Sequence, residues 1–234
     1  MEALAEIIKA KERGLGAIDL SKKNLITPPA ELFQLNRLRE LDLSNNQIVT
    51  LPPEIGQLKN LEVLLLAENQ IAALPPELGL LTGLVELDLS GNQITSLPPD
   101  FIQLEELSEL NLGMNRLSTI PPELFELCNL QWLDLSGNLI ANLPPDLAKL
   151  MNLQVLNLAG NYLAALPPEV LELVGLCVLD LRDNEINSIP PRLAELPNLQ
   201  ILLLEGNPLE GPPLAIANQG VTAIRKYFRE LVNN

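Results

Sequence analysis

The 234 residues are 47% hydrophobic but only 3% aromatic, so the chain can bury a large core and that core must be aliphatic. A net charge of −15 repels phosphate and argues against nucleic acid, and a chain with no histidine has no Ser-His or Cys-His nucleophile and no imidazole metal site. Two cysteines, Cys128 and Cys177, make neither a disulfide framework nor a zinc site, and no apolar run approaches the length of a membrane span.

The first predicted element is a charged amphipathic helix over residues 1–14, with Leu4, Ile7 and Ile8 on one face and Gly14 to end it. It lacks the apolar core of a signal peptide. No Asn-x-Ser/Thr acceptor follows anywhere, and the cytoplasm is the expected location.

From Leu15 onward a 23-residue pattern recurs without insertion. Aligned on Leu38 it reads Leu38, Leu41, Leu43, Asn46, Ile48, Leu51, Pro52, Pro53, Ile55, Leu58. Further registers start at Leu61, Leu84, Leu107, Leu130, Leu153, Leu176 and Leu199, giving nine copies over residues 15–221. In each, the L-x-L segment alternates and predicts a short strand with leucines on one face. One strand cannot bury its own leucines, so stacked copies must build a parallel sheet with a continuous core behind it.

The asparagine column (Asn46, Asn69, Asn92, Asn115, Asn138, Asn161, Asn184, Asn207) follows the strand, where an amide can pair with the buried backbone of neighbouring coils. Eighteen of the twenty prolines fall in nine Pro-Pro pairs. Each pair disfavours helix just before it and suits the first turn of a short α or 3₁₀ helix on the outer side. In register with the core, the pairs are architecture rather than SH3 ligands. The end copies deviate. Lys23 stands where the first copy should have asparagine, with Asn24 one place late. Pro28-Pro29 and Pro212-Pro213 sit one place early. A last helix over residues 222–234 places Ile224, Phe228 and Leu231 on one face beside Tyr227. The two terminal helices are expected to cap the open ends of the core, the second alternatively forming a junction to a further domain.

This pattern is the leucine-rich repeat signature. Its L-P-P-E-L/I-G-x-L form, as in Leu51 to Leu58, resembles the intracellular Ras-group repeats. The opening from Ala3-Leu4 to Leu25 and the closing from Gly206-Asn207-Pro208-Leu209 to Leu231 resemble the repeat domain of bacterial Roco proteins. There a similar closing segment leads into a Ras-like GTPase domain. The resemblance implies an α/β solenoid, a curved right-handed superhelix with the parallel sheet on its concave face and short helices on its convex face. It also implies partner recognition, or autoregulation of an attached or separate GTPase. The chain departs from that family in having no G-x-x-x-x-G-K-[ST] loop, so it does not itself bind GTP in that way. Neither an enzymatic constellation nor a cofactor motif is present.

Function is then expected in the outward strand residues that the repeat leaves free. The column before each inward leucine runs Ala17, Glu40, Val63, Glu86, Glu109, Trp132, Val155, Val178, Ile201; the next runs Asp19, Asp42, Leu65, Asp88, Asn111, Asp134, Asn157, Asp180, Leu203. Trp132, Val155, Val178 and Ile201 form an apolar row of about 15 Å at roughly 4.8 Å per strand. Glu40, Asp42, Glu86, Asp88 and Glu109 gather acid toward the other end, around Val63 and Leu65. Asp42, Asp88, Asp134 and Asp180 recur every forty-six residues. This spacing is read as charge separation on alternate strands or as duplication of a two-repeat unit. The partner expected is a protein with a basic and apolar surface, a small GTPase or GTPase domain among the candidates. Nucleic acid, membrane, metal and cofactor are not expected.

Overall fold

The structure, a computed structural model, describes residues 2–232. The chain forms two compact units, Met1–Arg116 and Leu117–Asn234. The first holds α1 (Glu2–Arg13) and five strands: β1 (Ala17–Asp19), β2 (Glu40–Asp42), β3 (Val63–Leu65), β4 (Glu86–Asp88) and β5 (Glu109–Asn111). The second holds β6 (Trp132–Asp134), β7 (Val155–Asn157), β8 (Val178–Asp180) and β9 (Ile201–Leu203), followed by α2 (Leu214–Ala217) and α3 (Val221–Val232). Within each unit consecutive strands pair in parallel and in register, Leu41 with Leu64 and Leu64 with Leu87 in the first, and Leu133, Leu156, Leu179 and Leu202 each with the next in the second. This is the repeat solenoid expected from the sequence.

The middle residue of each strand from β2 to β9 is the inward leucine, with Ile18 in its place in β1, and the leucine columns on either side are also sealed except at Leu15, which is exposed. Each proline pair does what its chemistry requires. Pro52 is extended, with φ −74° and ψ 154°, and Pro53 opens a 3₁₀ helix over Pro53–Gln57. The same unit recurs as Pro76–Leu80, Pro99–Gln103, Pro122–Glu126, Pro145–Lys149, Pro168–Glu172 and Pro191–Glu195. All are 3₁₀ helices of five residues, because only two inward positions per copy are available to hold them against the core. Where the last pair comes one place early, the helix that follows is the α-helical α2.

The asparagine ladder links successive coils. The side-chain amide of Asn69 donates to the carbonyl oxygens of Leu43 in the preceding coil and Leu66 in its own, both at 3.0 Å, and Asn69 Oδ1 accepts from the Ile48 amide at 2.9 Å. Asn92, Asn161 and Asn184 repeat the arrangement. In the first copy Lys23 has no such amide to offer. Its backbone N–H instead donates to Asn46 Oδ1, while its ammonium pairs with Glu2 of α1. That pair raises the Lys23 pKa and lowers that of Glu2, chiefly through their mutual hydrogen bond. The missing asparagine is thus replaced by a tie to the N-terminal helix. Asn24 takes φ 54°, a left-handed turn residue rather than a displaced ladder member.

The N-terminal helix buries a different face from the one expected, while the C-terminal helix buries the expected face over its first turns only. In α1 the buried residues are Ala3, Ile7 and Ala10, whereas Leu4 and Ile8 are 39% and 48% exposed. The helix packs on β1 and Ala30–Gln34 through two alanines, whose small side chains allow close approach, and this turns it by about one residue, 100°. In α3, Val221 and Ile224 are buried, Phe228 is half-buried and Leu231 is exposed. This helix packs on Pro191–Glu195 and α2. There the Arg225 guanidinium donates to the carbonyl oxygens of Ala194 and Leu196, so the first two turns carry the contact.

Candidate interaction surface on the sheet

In the second unit Trp132, Val155, Val178 and Ile201 are direct register partners across β6, β7, β8 and β9. They therefore stand in one line perpendicular to the strands. Ile201 is 46% exposed; the other three are half-buried because each shields the next. Two columns flank the line. On one side lie Gln131, Gln154, Cys177 and Gln200, an uncharged set in which Gln154 bonds Gln131 at 3.4 Å. On the other side are Asp134, Asn157, Asp180 and Leu203.

That second column is largely structural. Asp42, Asp88, Asn111, Asp134, Asn157 and Asp180 each accept a hydrogen bond from the backbone N–H two residues on, an Asx turn that bends the chain out of the strand. Both Asp and Asn can do this, so the turn explains a short polar acceptor in these copies but not why aspartate recurs every forty-six residues. Ser90 and Ser136 add hydroxyl bonds to the same carboxylates. At Asp180 the serine is replaced by Arg182, whose guanidinium grips the carboxylate in a two-pronged pair of 3.0 and 2.6 Å. Asp180 is buried. Beyond it, Glu205 Oε2 is the buried side-chain oxygen without a hydrogen-bond partner among the described residues.

In the first unit the acidic residues expected from the sequence share one sheet face. An open depression of about 440 Å³ brings Glu40, Asp42, Val63 and Leu65 together. It also includes Ala17 and Asp19, which sequence reasoning aligned in the right columns but did not select. Glu86 and Glu109 are direct neighbours on β4 and β5. Partial desolvation, followed by the charges of Glu109, Asp88 and Glu40, raises the Glu86 pKa above the ordinary carboxylate range. The acidic face therefore carries unrelieved repulsion that a cation would relieve. Asp19 goes the other way, its pKa lowered mainly by the hydroxyl and amide of Ser21.

Among the described residues no helix is long and apolar enough to cross a membrane, and no three metal-ligating side chains cluster. Cys128 and Cys177 are free thiols.

A leucine-rich repeat family model matches residues 13–71, 36–93, 82–140 and 151–209, and a two-copy repeat model matches 128–170. No curated protein matches the chain in sequence. Among solved structures it is similar to an internalin C2 from Listeria monocytogenes, at 29% identity and a TM-score of 0.74, covering 84% of this chain and 83% of that one. A TDR receptor is similar at 30% identity and a TM-score of 0.74 over 83% of this chain. The ectodomain of the plant membrane receptor kinase GASSHO1/SCHENGEN3 from Arabidopsis thaliana, in complex with Casparian strip integrity factor 2, matches at 28% identity and a TM-score of 0.58 over 78% of this chain. The chain spans 35% and 28% of the length of those two receptors.

Proposed function

We propose, from the premise that the chain belongs to the leucine-rich repeat family, that it is a protein-recognition module whose partner binds the outward sheet face. Domains of this family typically serve protein–protein interaction, and one of the similar structures is itself a complex with a second factor. The observation that carries the reading is the in-register row Trp132, Val155, Val178, Ile201, an apolar line on a sheet face that stays partly exposed among the described residues. Trp132 supplies the largest buried area, and the carboxylates of the first unit favour a partner with basic residues. No catalytic role is assigned. The free cysteines suit a cytoplasmic setting.

The test is capture from native lysate with wild type and Trp132→Ala as parallel baits. Losing this side chain should weaken binding by about 2 kcal/mol or more, some thirty-fold, with the circular dichroism spectrum and unfolding midpoint unchanged. Equal capture by both baits would refute the reading.

A second reading keeps the same surface and makes the partner a GTPase, in the manner of a Roco repeat domain. The closing segment from Gly206 to Leu231 supports it, with α3 fixed to the eighth repeat by Arg225. Capture that depends on whether a Ras-like domain carries GTP or GDP would favour this reading; nucleotide-independent capture would count against it.

A further inference from the structure

The row on β6 to β9 has a pitch, and pitch selects the kind of chain that can lie along it. Resting on the sheet-face reading above, we propose that the occupant of this row is an amphipathic α-helix with cationic residues on one flank, lying across the strands, rather than an extended segment.

Register pairing places the four side chains one per strand with no offset. Adjacent strands lie about 4.8 Å apart, so the row offers contacts near 0, 4.8, 9.6 and 14.4 Å. A helix rises about 1.5 Å per residue, so its positions i, i+3, i+7 and i+10 fall at about 0, 4.5, 10.5 and 15 Å. Those positions also share one helical face. Each helix side chain therefore meets one strand to within about 1 Å over the whole row. An extended chain places same-face side chains about 6.7 Å apart, so the second falls midway between strands.

The flanks of the row agree with such a partner. On one side the glutamines of positions 131, 154 and 200 are uncharged and accept contact with either polar or apolar groups. The other side carries Asp134, with Glu205 beyond it. Asp180 is already neutralised by Arg182, whereas the carboxylate of Asp134 is held by the uncharged Ser136 and Asn157. Lysine or arginine on that edge of the helix pairs with Asp134.

The experiment uses the full chain and its single tryptophan as reporter. The first probe is a 14-residue peptide held helical by an i,i+4 lactam, with leucine at positions 1, 4, 8 and 11 and lysine and glutamine elsewhere. The second has the same leucine and lysine content, with leucine on alternate positions and a central proline in place of one glutamine. The helical peptide should shift Trp132 emission to the blue, saturate, and bind at least ten-fold more tightly than the alternating one. Val178→Glu, verified as folded by circular dichroism, should abolish the shift. If the alternating peptide binds as tightly or better, the helix is wrong while the sheet-face reading survives. No shift with either peptide overturns the inference, leaving the partner-capture test to judge the broader reading on its own. Binding retained in Val178→Glu places the peptide elsewhere and also overturns it.

Discussion

At the scale of single residues, two columns carry much of the architecture. Asn69 serves four backbone groups belonging to two coils, so Asn69→Ala leaves buried donors and acceptors unpaired. The expected loss is about 1–3 kcal/mol, read from the urea midpoint. The residue just before the ladder position, which is Lys23 in the first copy and asparagine in the rest, turns left-handed in every copy, at φ near 60°: Lys22, Asn45, Glu68, Gly91, Met114, Gly137, Gly160, Asp183 and Gly206. Gly160 is the cleanest probe, because a Cβ there would meet nothing closer than 3.5 Å and only the backbone conformation is at issue. Gly160→Ala should therefore cost about 1 kcal/mol in equilibrium unfolding, from strain alone. The asparagine column was legible in the sequence because its role is local and repeated. The left-handed column was not, since four glycines among nine dissimilar residues make a weak pattern until φ is known.

At the scale of elements, the sheet face of the first unit stores a titratable tension. Glu86 has a folded-state pKa raised above its unfolded value, so the folded state holds that proton more tightly. The group accordingly costs stability above its folded pKa, and the cost disappears as pH falls below the unfolded value, near 4.3. Glu86→Gln should then stabilise the protein at pH 7, by about 0.5 kcal/mol or less since the site is partly solvent-screened. In thermal melts across the acid range, the difference from wild type should vanish as Glu86 becomes protonated; a constant difference at all pH values would point to packing instead. The terminal helices show where element-level reading fell short. Apolar spacing correctly marked helices at both ends, yet the buried side of α1 was decided by close packing through Ala3 and Ala10. Alanine carries little hydrophobic signal, so the larger Leu4 and Ile8 outweighed it in the sequence.

For the whole molecule, the charge of −15 gives the proposed interaction a salt signature. If the partner is basic, its association rate should fall steeply as ionic strength rises through the physiological range, while the dissociation rate, held by the Trp132 row, changes little. Stopped-flow tryptophan fluorescence separates the two. A rate insensitive to salt would assign the acidic face to solubility rather than encounter. The repeat length, strand positions, inward leucines, asparagine ladder and proline-led helices could all be read in the sequence, because each copy repeats the same local problem and solves it in the same way. Tertiary structure alone settled which way α1 turns and how Lys23 replaces an asparagine by reaching that helix. It also showed that the aspartates of the second outward column make turns, and that the apolar row stands in register across its strands. These are matters of distance and direction between coils, which a repeating pattern of residue types does not encode.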